Sequence, residues 1–265
     1  MKLVHFVEWK KISDDEMIPT LKQLASWGVE ELVAHPVWGR REACCPGYLK
    51  KTMQIMKDHG MNLPACHAYW GADADICEPD HEKRRKIIDD HADFLRKLAP
   101  WGIKTYTMHI GMEGKNGKTE WDSIRHAVEQ LLPIAAETGI ALALENGSEH
   151  HESQRELLKL IRAFAHPELG ICFDTGHANC YGERDWKTSW SILGPEVVTC
   201  HMHDNYGTYD DHNPPGQGNL NWQELVTALK KAPRMLHAET ESSDWSRESW
   251  EKFRETWERC PKKLQ

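Results

Sequence analysis

The segment Thr138-Gly139-Ile140-Ala141-Leu142-Ala143-Leu144-Glu145 runs from the end of a helical pattern straight into a short apolar stretch that closes on a carboxylate. Glycine ends helices because it enters the left-handed region of backbone space without steric cost. A strand beginning one or two residues later marks an αβ connection. The same join recurs: Trp27-Gly28-Val29 leads into Glu31-Leu32-Val33-Ala34, and His59-Gly60-Met61 into Leu63-Pro64-Ala65-Cys66-His67. Trp101-Gly102-Ile103 leads likewise into Thr105-Tyr106-Thr107-Met108-His109. Counting outward from these joins yields strand candidates near 3–7, 30–34, 62–67, 103–109, 140–145, 169–174, 196–201 and 234–239. Helical patterns fill the intervals, among them Asp14 to Trp27, His81 to Ala99 and Glu152 to Ala165. The second places Ile87, Ile88, His91, Phe94, Leu95 and Leu98 on one stripe, and the third does so with Leu157, Leu158, Ile161 and Phe164, at the spacing of amphipathic helices. Eight alternations of strand and helix predict an α/β fold, a single (β/α)8 TIM barrel, with residues 1–265 as one domain.

The 265-residue chain carries 33 Lys+Arg against 41 Asp+Glu, a formal charge of −8, with 40% hydrophobic and 28% charged residues. This composition belongs to a folded protein and argues against disorder. The acidic balance disfavours bulk attraction to nucleic acid or anionic membranes. No stretch approaches the ~20 apolar residues of a membrane-spanning helix, and Met1 to Glu8 reaches a charge too early for a signal-peptide core. The eight cysteines form no CxxC pair, so reduced thiols, no disulfides and a cytoplasmic location are expected. Sixteen histidines stand out.

In barrels of this kind chemistry gathers at the C-terminal ends of the strands. The third to fifth candidates end at His67, His109 and Glu145. The sixth offers Asp174 with His177, the seventh His201 with His203, and the eighth Glu239. Ionisable groups crowded at one barrel mouth are costly without a counter-charge. A cation removes that cost, with carboxylates pairing to it and neutral imidazoles completing its shell. A metal site is therefore the expectation.

Three segments carry a family resemblance: Leu144-Glu145-Asn146, Cys172-Phe173-Asp174-Thr175-Gly176-His177-Ala178 and His201-Met202-His203-Asp204-Asn205. With Asp210-Asp211-His212-Asn213-Pro214-Pro215-Gly216-Gln217-Gly218 and Glu239-Thr240, the chain resembles the xylose isomerase-like TIM barrels. That superfamily holds sugar and sugar-phosphate isomerases and epimerases, and also abasic-site nucleases of the endonuclease IV type. The resemblance implies Glu145, Asp174, His201 and Glu239 as metal ligands, with Glu145 and Glu239 also serving as catalytic base and acid. His201 is preferred to His203 because the family ligand precedes an Asp by three residues, here Asp204. His67, His109, His177, His203, Asp210 and His212 stand as further metal or substrate contacts, since five of them match positions that complete a multinuclear site in the nuclease branch. The implied cofactor is a divalent metal ion: Mn2+, Mg2+ or Co2+ for a mixed carboxylate–imidazole shell, Zn2+ where histidines dominate.

Two chemistries follow. An isomerase or epimerase removes a proton beside a carbonyl of a small carbohydrate, free or phosphorylated, through a metal-stabilised enediolate. A zinc phosphodiesterase acting at abasic sites in DNA is the alternative, and a lyase or non-catalytic branch a third. Against the nuclease stands the segment His35-Pro36-Val37-Trp38-Gly39-Arg40-Arg41-Glu42, which does not reproduce the Arg/Gln-rich DNA-contact loop of that branch. Of the tryptophans, Trp9, Trp38 and Trp70 follow strand ends, and Trp70 is the expected sugar contact. Asn116, Lys118, Arg184 and Lys187 read as loop surface within reach of either substrate. Alternation turns Cys66 and Cys200 toward the helices and Cys172 into the barrel as an apolar filler. The partners expected are a carbohydrate and, for assembly, further copies of the chain, but no membrane.

Overall fold

A computed structural model describes residues 1–111, 120–147, 151–181 and 184–259. Its strands are β1 (Lys2–Val4), β2 (Glu31–Ala34), β3 (Asn62–His67), β4 (Thr105–Met108), β5 (Ala141–Glu145), β6 (Leu169–Asp174), β7 (Val197–Met202) and β8 (His237–Thr240). They pair in parallel in the order β1-β8-β7-β6-β5-β4-β3-β2. The remaining seam is closed by one parallel bridge between His5 and Leu32. There the His5 amide donates to the Glu31 carbonyl at 2.8 Å, and the Val33 amide donates to the His5 carbonyl at 3.1 Å. The molecule is a TIM barrel.

The outer layer contains α1 (Asp14–Ser26), α2 (Pro36–Cys44), α3 (Tyr48–Asp58), α4 (His81–Leu98), α5 (Trp121–Thr138), α6 (His151–Phe164), α7 (Thr175–Cys180), α8 (Trp186–Leu193), α9 (Trp222–Leu229) and α10 (Arg247–Glu258). A capping box between Ser13 and Glu16 starts α1, and Asp80 caps α4 by accepting from the Glu82 and Lys83 amides. The four glycines at the helix–strand joins, Gly28, Gly60, Gly102 and Gly139, all have φ between +67° and +85°. That is the backbone state that made the joins legible.

Three details depart from the expected alternation. The β2–β3 connection holds two helices, because Pro46 and Gly47 (φ +91°) interrupt it. The β6–β7 connection also holds two, with α7 starting directly at the end of β6. Finally, β8 begins at His237 rather than near 234, since Ala232–Met235 close a turn before Leu236 pairs with Val198. Its last residue is Thr240, which brings the following carboxylate, Glu241, to the barrel mouth.

The main apolar core lies between sheet and helices, with Leu21, Leu24, Phe94, Leu131, Phe173 and Phe253 buried there. Cys66 and Cys200 belong to this layer, as alternation predicted. Inside the barrel the fill is small: Val4, Val33 and Ala65 form one cluster, and Ala143, Cys172 and Val198 another. Small residues below leave the mouth to polar groups. All seven described cysteines are free. Among the described residues no helix is long and apolar enough to cross a membrane.

The loop after β7 is pinned by a buried Asp204. Its carboxylate accepts from the amides of Asn205, Gly216 and Leu220 and from the Trp222 indole at 3.0, 2.9, 3.2 and 2.8 Å. Only a residue without a side chain fits at Gly218, where a Cβ would meet Asp204 Oδ1 at 2.2 Å. This fastening matters because the same loop carries Asp210 and His212.

Candidate metal centre

Nine of the ten expected metal-site residues meet at the mouth. They fall into three main sets, and within each the donor atoms lie within 4.8 Å of one another. The first set is Glu145, Asp174, His201 and Glu241. His201 Nδ1 is its hub, 2.9 Å from Glu241 Oε2, 3.3 Å from Glu145 Oε1 and 3.8 Å from Asp174 Oδ2. The second is His67, His109 and Glu145, with His109 Nε2 3.4 Å from Glu145 Oε2. The third is His177, His203, Asp210 and His212. Here His177 Nε2 and His212 Nε2 lie 3.2 and 2.9 Å from Asp210 Oδ2, and His203 Nδ1 lies 3.7 Å from Oδ1.

Four of the imidazoles are tethered through one nitrogen and offer the other. Nδ1 of His67, His177 and His212 donates to the carbonyls of Ala68, Asn146 and Glu241 at 2.9, 2.9 and 3.2 Å. His203 is held through Nε2 by Asp174 at 2.9 Å, and stacks on the His212 ring at 4.1 Å. Tethers of this kind fix ring orientation and tautomer at metal sites. The atoms left over converge: Glu145 Oε2, His203 Nδ1, Asp210 Oδ1 and Glu241 Oε2 are all buried with no hydrogen-bond partner. Buried polar atoms without partners are costly. Carboxylate oxygens and imidazole nitrogens in this arrangement fit a divalent cation.

The electrostatics fit the same cation. Burial alone would raise the Glu145 carboxyl, but the His201 and His109 imidazoles outweigh it and lower it to about 2. Glu241 is held well below the usual carboxylate range against its burial, chiefly by His201. Burial opposes protonation of His201, yet Cys172, Glu241 and Glu145 push it well above its ordinary value. His177 behaves alike beside Asp174 and Asp210, and His212 rises to about 9 through its bond to Asp210. Burial wins at His109, lowered to about 4. Without a metal the cluster is thus neutralised by protons, which an entering cation must displace. Metal affinity is accordingly expected to rise with pH, by about tenfold per unit for each proton released. Chelator-buffered zinc titrations across neutral pH measure this, and a flat profile would exclude proton displacement.

Glu239 is not in any of these sets. It pairs alongside His201 in the β7–β8 register and points into the barrel one step below the mouth. Its Oε2 lies 3.6 Å from His201 Nε2, and Glu241, two residues on, is the carboxylate that joins His201 Nδ1 in the first set. The signal available was alternation, which puts residues i and i+2 of a strand on one face. His201 and His203 fall in different sets.

A pocket of about 440 Å3 opens above the cluster, lined by His67, His109, Asp210, His212 and Glu241 together with Phe6, Lys10, Lys11 and Trp70. Trp70 stands edge-on to His67 at 4.8 Å, with Lys10 Nζ 5.7 Å from its ring centre. Trp9 and Trp38 are instead fully buried and packed together at 5.6 Å. Lys187 pairs with Glu224, and neither it nor Arg184 lines this pocket. Asn116 and Lys118 lie outside the described residues.

The family model described as Xylose isomerase-like TIM barrel matches residues 21–260. The uncharacterized protein MJ1311 of Methanocaldococcus jannaschii is 31% identical over 109 residues, covering 39% of this chain and 37% of that protein. The protein y4fM of Sinorhizobium fredii is 28% identical over 261 residues, covering 85% and 80%. A probable endonuclease 4 of Mycoplasmopsis pulmonis is 32% identical over 156 residues, covering 54% and 55%. The chain therefore spans little more than half of that nuclease and about a third of MJ1311. Among solved structures, the 3-keto-D-glucoside 4-epimerase YcjR from E. coli superposes with a TM-score of 0.76 at 15% identity, over 97% of this chain and 98% of that one. The TTHB071 protein from Thermus thermophilus, soaked with ZnCl2, gives 0.74 at 21% identity over 98% and 99%. At these identities the structural likeness carries the fold alone.

Proposed function

Because the chain belongs to the xylose isomerase-like TIM barrel family, we propose that it is a divalent-metal-dependent isomerase or epimerase of a small carbohydrate, located in the cytoplasm. One observation carries this: one imidazole and three carboxylates, His201, Glu145, Asp174 and Glu241, converge beneath a pocket of about 440 Å3. That volume suits a small polar molecule. A bound Zn2+, Mn2+, Mg2+ or Co2+ would polarise the substrate carbonyl and stabilise the charge that develops when the neighbouring carbon loses its proton. Glu145 and Glu241, on the fifth and eighth strand ends, are the base and acid in this reading, one removing the proton and the other returning one. The family resemblance gives that part to Glu239, whose Oε2 lies 3.6 Å from His201 Nε2, so Glu239 shares the candidacy with Glu241. Asp174, fixed by the His203 ring and the His177 amide, stays a ligand. The test is deuterium uptake from D2O into a panel of ketoses by metal-loaded protein. Complete absence of exchange would sink the proposal.

The Trp70 ring is the proposed platform for the sugar's apolar face. Trp70→Ala is expected to raise KM roughly tenfold, about 1.4 kcal/mol, with metal content unchanged. Equal KM values in the two proteins would remove Trp70 from the substrate site.

The second and third donor sets favour a second reading, phosphodiester hydrolysis by two or three ions. Arg40 and Arg41, the basic pair in α2 after the second strand, argue against a DNA substrate, because they are already engaged. Arg40 pairs with Asp73 at 2.9 Å, and Arg41 with Asp14 at 2.7 Å and the Tyr48 hydroxyl at 2.6 Å. Elemental analysis separates the readings: one ion per chain fits the isomerase, two or three the hydrolase, and cleavage of an abasic oligonucleotide would establish the latter.

A further inference from the structure

Glu8 and Lys10 line the pocket together with Trp70, and none of the three belongs to a donor set. The first two flank Trp9, which opens a short helical turn (Trp9–Lys11) and is seated in the core against Trp38. With that ring turned inward, its two neighbours reach the pocket. Glu8 is fixed there by a hydrogen bond of ordinary length. His35 Nδ1 accepts from the Val37 amide at 3.1 Å, so the ring proton sits on Nε2, which donates to Glu8 Oε1 at 3.0 Å. Lys10 Nζ pairs with the other oxygen, Oε2, at 3.3 Å and lies 5.7 Å from the Trp70 ring centre. The buried His35 ring also stands edge-on to Trp70 at 5.3 Å. One imidazole thus backs both the carboxylate and the indole. Burial raises the Glu8 carboxyl, but His35 and Lys10 outweigh it and hold it below its ordinary value.

We propose that Glu8, Lys10 and Trp70 form a subsite that reads two neighbouring free hydroxyls at the end of the sugar away from the metal. The inference rests on the carbohydrate reading given above and adds the substrate class: an uncharged sugar rather than a sugar phosphate or sugar acid. Adjacent hydroxyls are matched by one acceptor and one donor held side by side. An ionised Glu8 can only accept and Lys10 can only donate. Each has capacity left, since a carboxylate oxygen takes more than one hydrogen bond and an ammonium carries three protons. The Trp70 ring beside them is the apolar surface for the C–H groups between the hydroxyls. Charge points the same way. Apart from the donor-set residues, the described pocket wall holds two ammonium groups, Lys10 and Lys11, against two carboxylates, Glu8 and Asp211. An anionic substituent next to Glu8 would meet a fixed negative charge, and Lys10 is already paired with that charge. His35 is the positioning residue of the subsite, because it sets the direction of the carboxylate without facing the sugar.

The experiment measures calorimetric binding and deuterium exchange with metal-loaded protein for four kinds of probe. These are free ketoses, the same ketoses phosphorylated at the terminal carbon, their terminal acids, and their terminally deoxygenated forms. Free ketoses are expected to bind about tenfold or more tightly than the phosphates and acids. Glu8→Gln should weaken binding of the free ketose about tenfold, the difference between a charged and a neutral hydrogen bond. The same variant should narrow the gap between neutral and anionic sugars, and its metal content should stay at the wild-type value. Glu8→Gln and Lys10→Met should both lose most of their effect on the deoxygenated ketose, which a merely structural role would not produce. Tighter wild-type binding of the phosphate or the acid would overturn the inference, as would an unchanged neutral-to-anionic ratio in Glu8→Gln. Should that variant not fold, Lys10→Met decides, because equal losses on the ketose and its deoxygenated form would overturn the subsite. Metal-loaded wild type that exchanges deuterium into none of these sugars would instead remove the carbohydrate reading itself, and this inference with it.

Discussion

Glu145→Gln is expected to abolish metal binding and reduce activity by roughly three orders of magnitude or more. Glu145 is the carboxylate common to the His67–His109 set and the His201 set. Its Oε2 faces His109 and its Oε1 faces His201. Gln preserves the shape and removes only the charge. At an effective dielectric near 20, a pair of unit charges ~4 Å apart interacts by about 4 kcal/mol, which is roughly a factor of a thousand in affinity. The proposed reaction loses its base or acid in the same step. Stability of the metal-free protein should change less, because the amide would leave imidazoles without a counter-charge but also remove the desolvation of a buried carboxylate. Elemental analysis after dialysis and single-turnover assays measure the two effects. A Glu145→Gln protein with wild-type metal content would show that the ion sits elsewhere.

The barrel was readable because its strongest signal is local. Gly28, Gly60, Gly102 and Gly139 take a backbone conformation that few other residues accept, so chain chemistry alone marks where helix yields to strand. The convergence of strand-end histidines and carboxylates was readable for a related reason, since alternation and barrel closure leave little freedom in where such residues point. The boundary of β8 was not readable. The run Met235-Leu236-His237 looks continuous with the strand, but pairing partners on β7 and β1 set its start at His237. For the same reason Glu241, just past the last strand residue Thr240, was not singled out, although it joins the donor sets. Trp9 and Trp38 misled for a similar reason: each follows a strand end, yet they pack against each other in the core. Burial of that kind depends on the path of a whole βα loop, which no local pattern encodes.

The third donor set depends on a residue with no side chain. Gly176 follows Asp174 by two positions in α7, and a Cβ there would meet His203 Cε1 at 1.9 Å, Nδ1 at 2.3 Å and Nε2 at 2.7 Å. His203 has no room to yield freely. It is fully buried, bonded to Asp174 through Nε2 and stacked on His212. Gly176→Ala must therefore move the His203 ring or the β6–α7 turn, and either movement breaks the bond to Asp174. Overpacking of this kind costs about 1–3 kcal/mol, to which the loss of a charge-assisted hydrogen bond adds about 1.5–3 kcal/mol. Helix propensity works the other way, because Ala is favoured over Gly by about 1 kcal/mol. The balance remains a clear destabilisation. The expected result is a lower melting temperature, together with loss of any ion held by His177, His203, Asp210 and His212. The Asp174 carboxylate, freed from His203, should also weaken zinc binding at His201. Because a Cβ at Gly176 meets His203 of the third set, comparing metal stoichiometry with residual exchange activity shows whether the third set takes part in the chemistry. Activity that survives with a single ion would favour proton transfer at the first set, whereas activity lost along with the second ion would favour hydrolysis. An unchanged melting temperature and unchanged stoichiometry would mean that His203 does not pack against this turn.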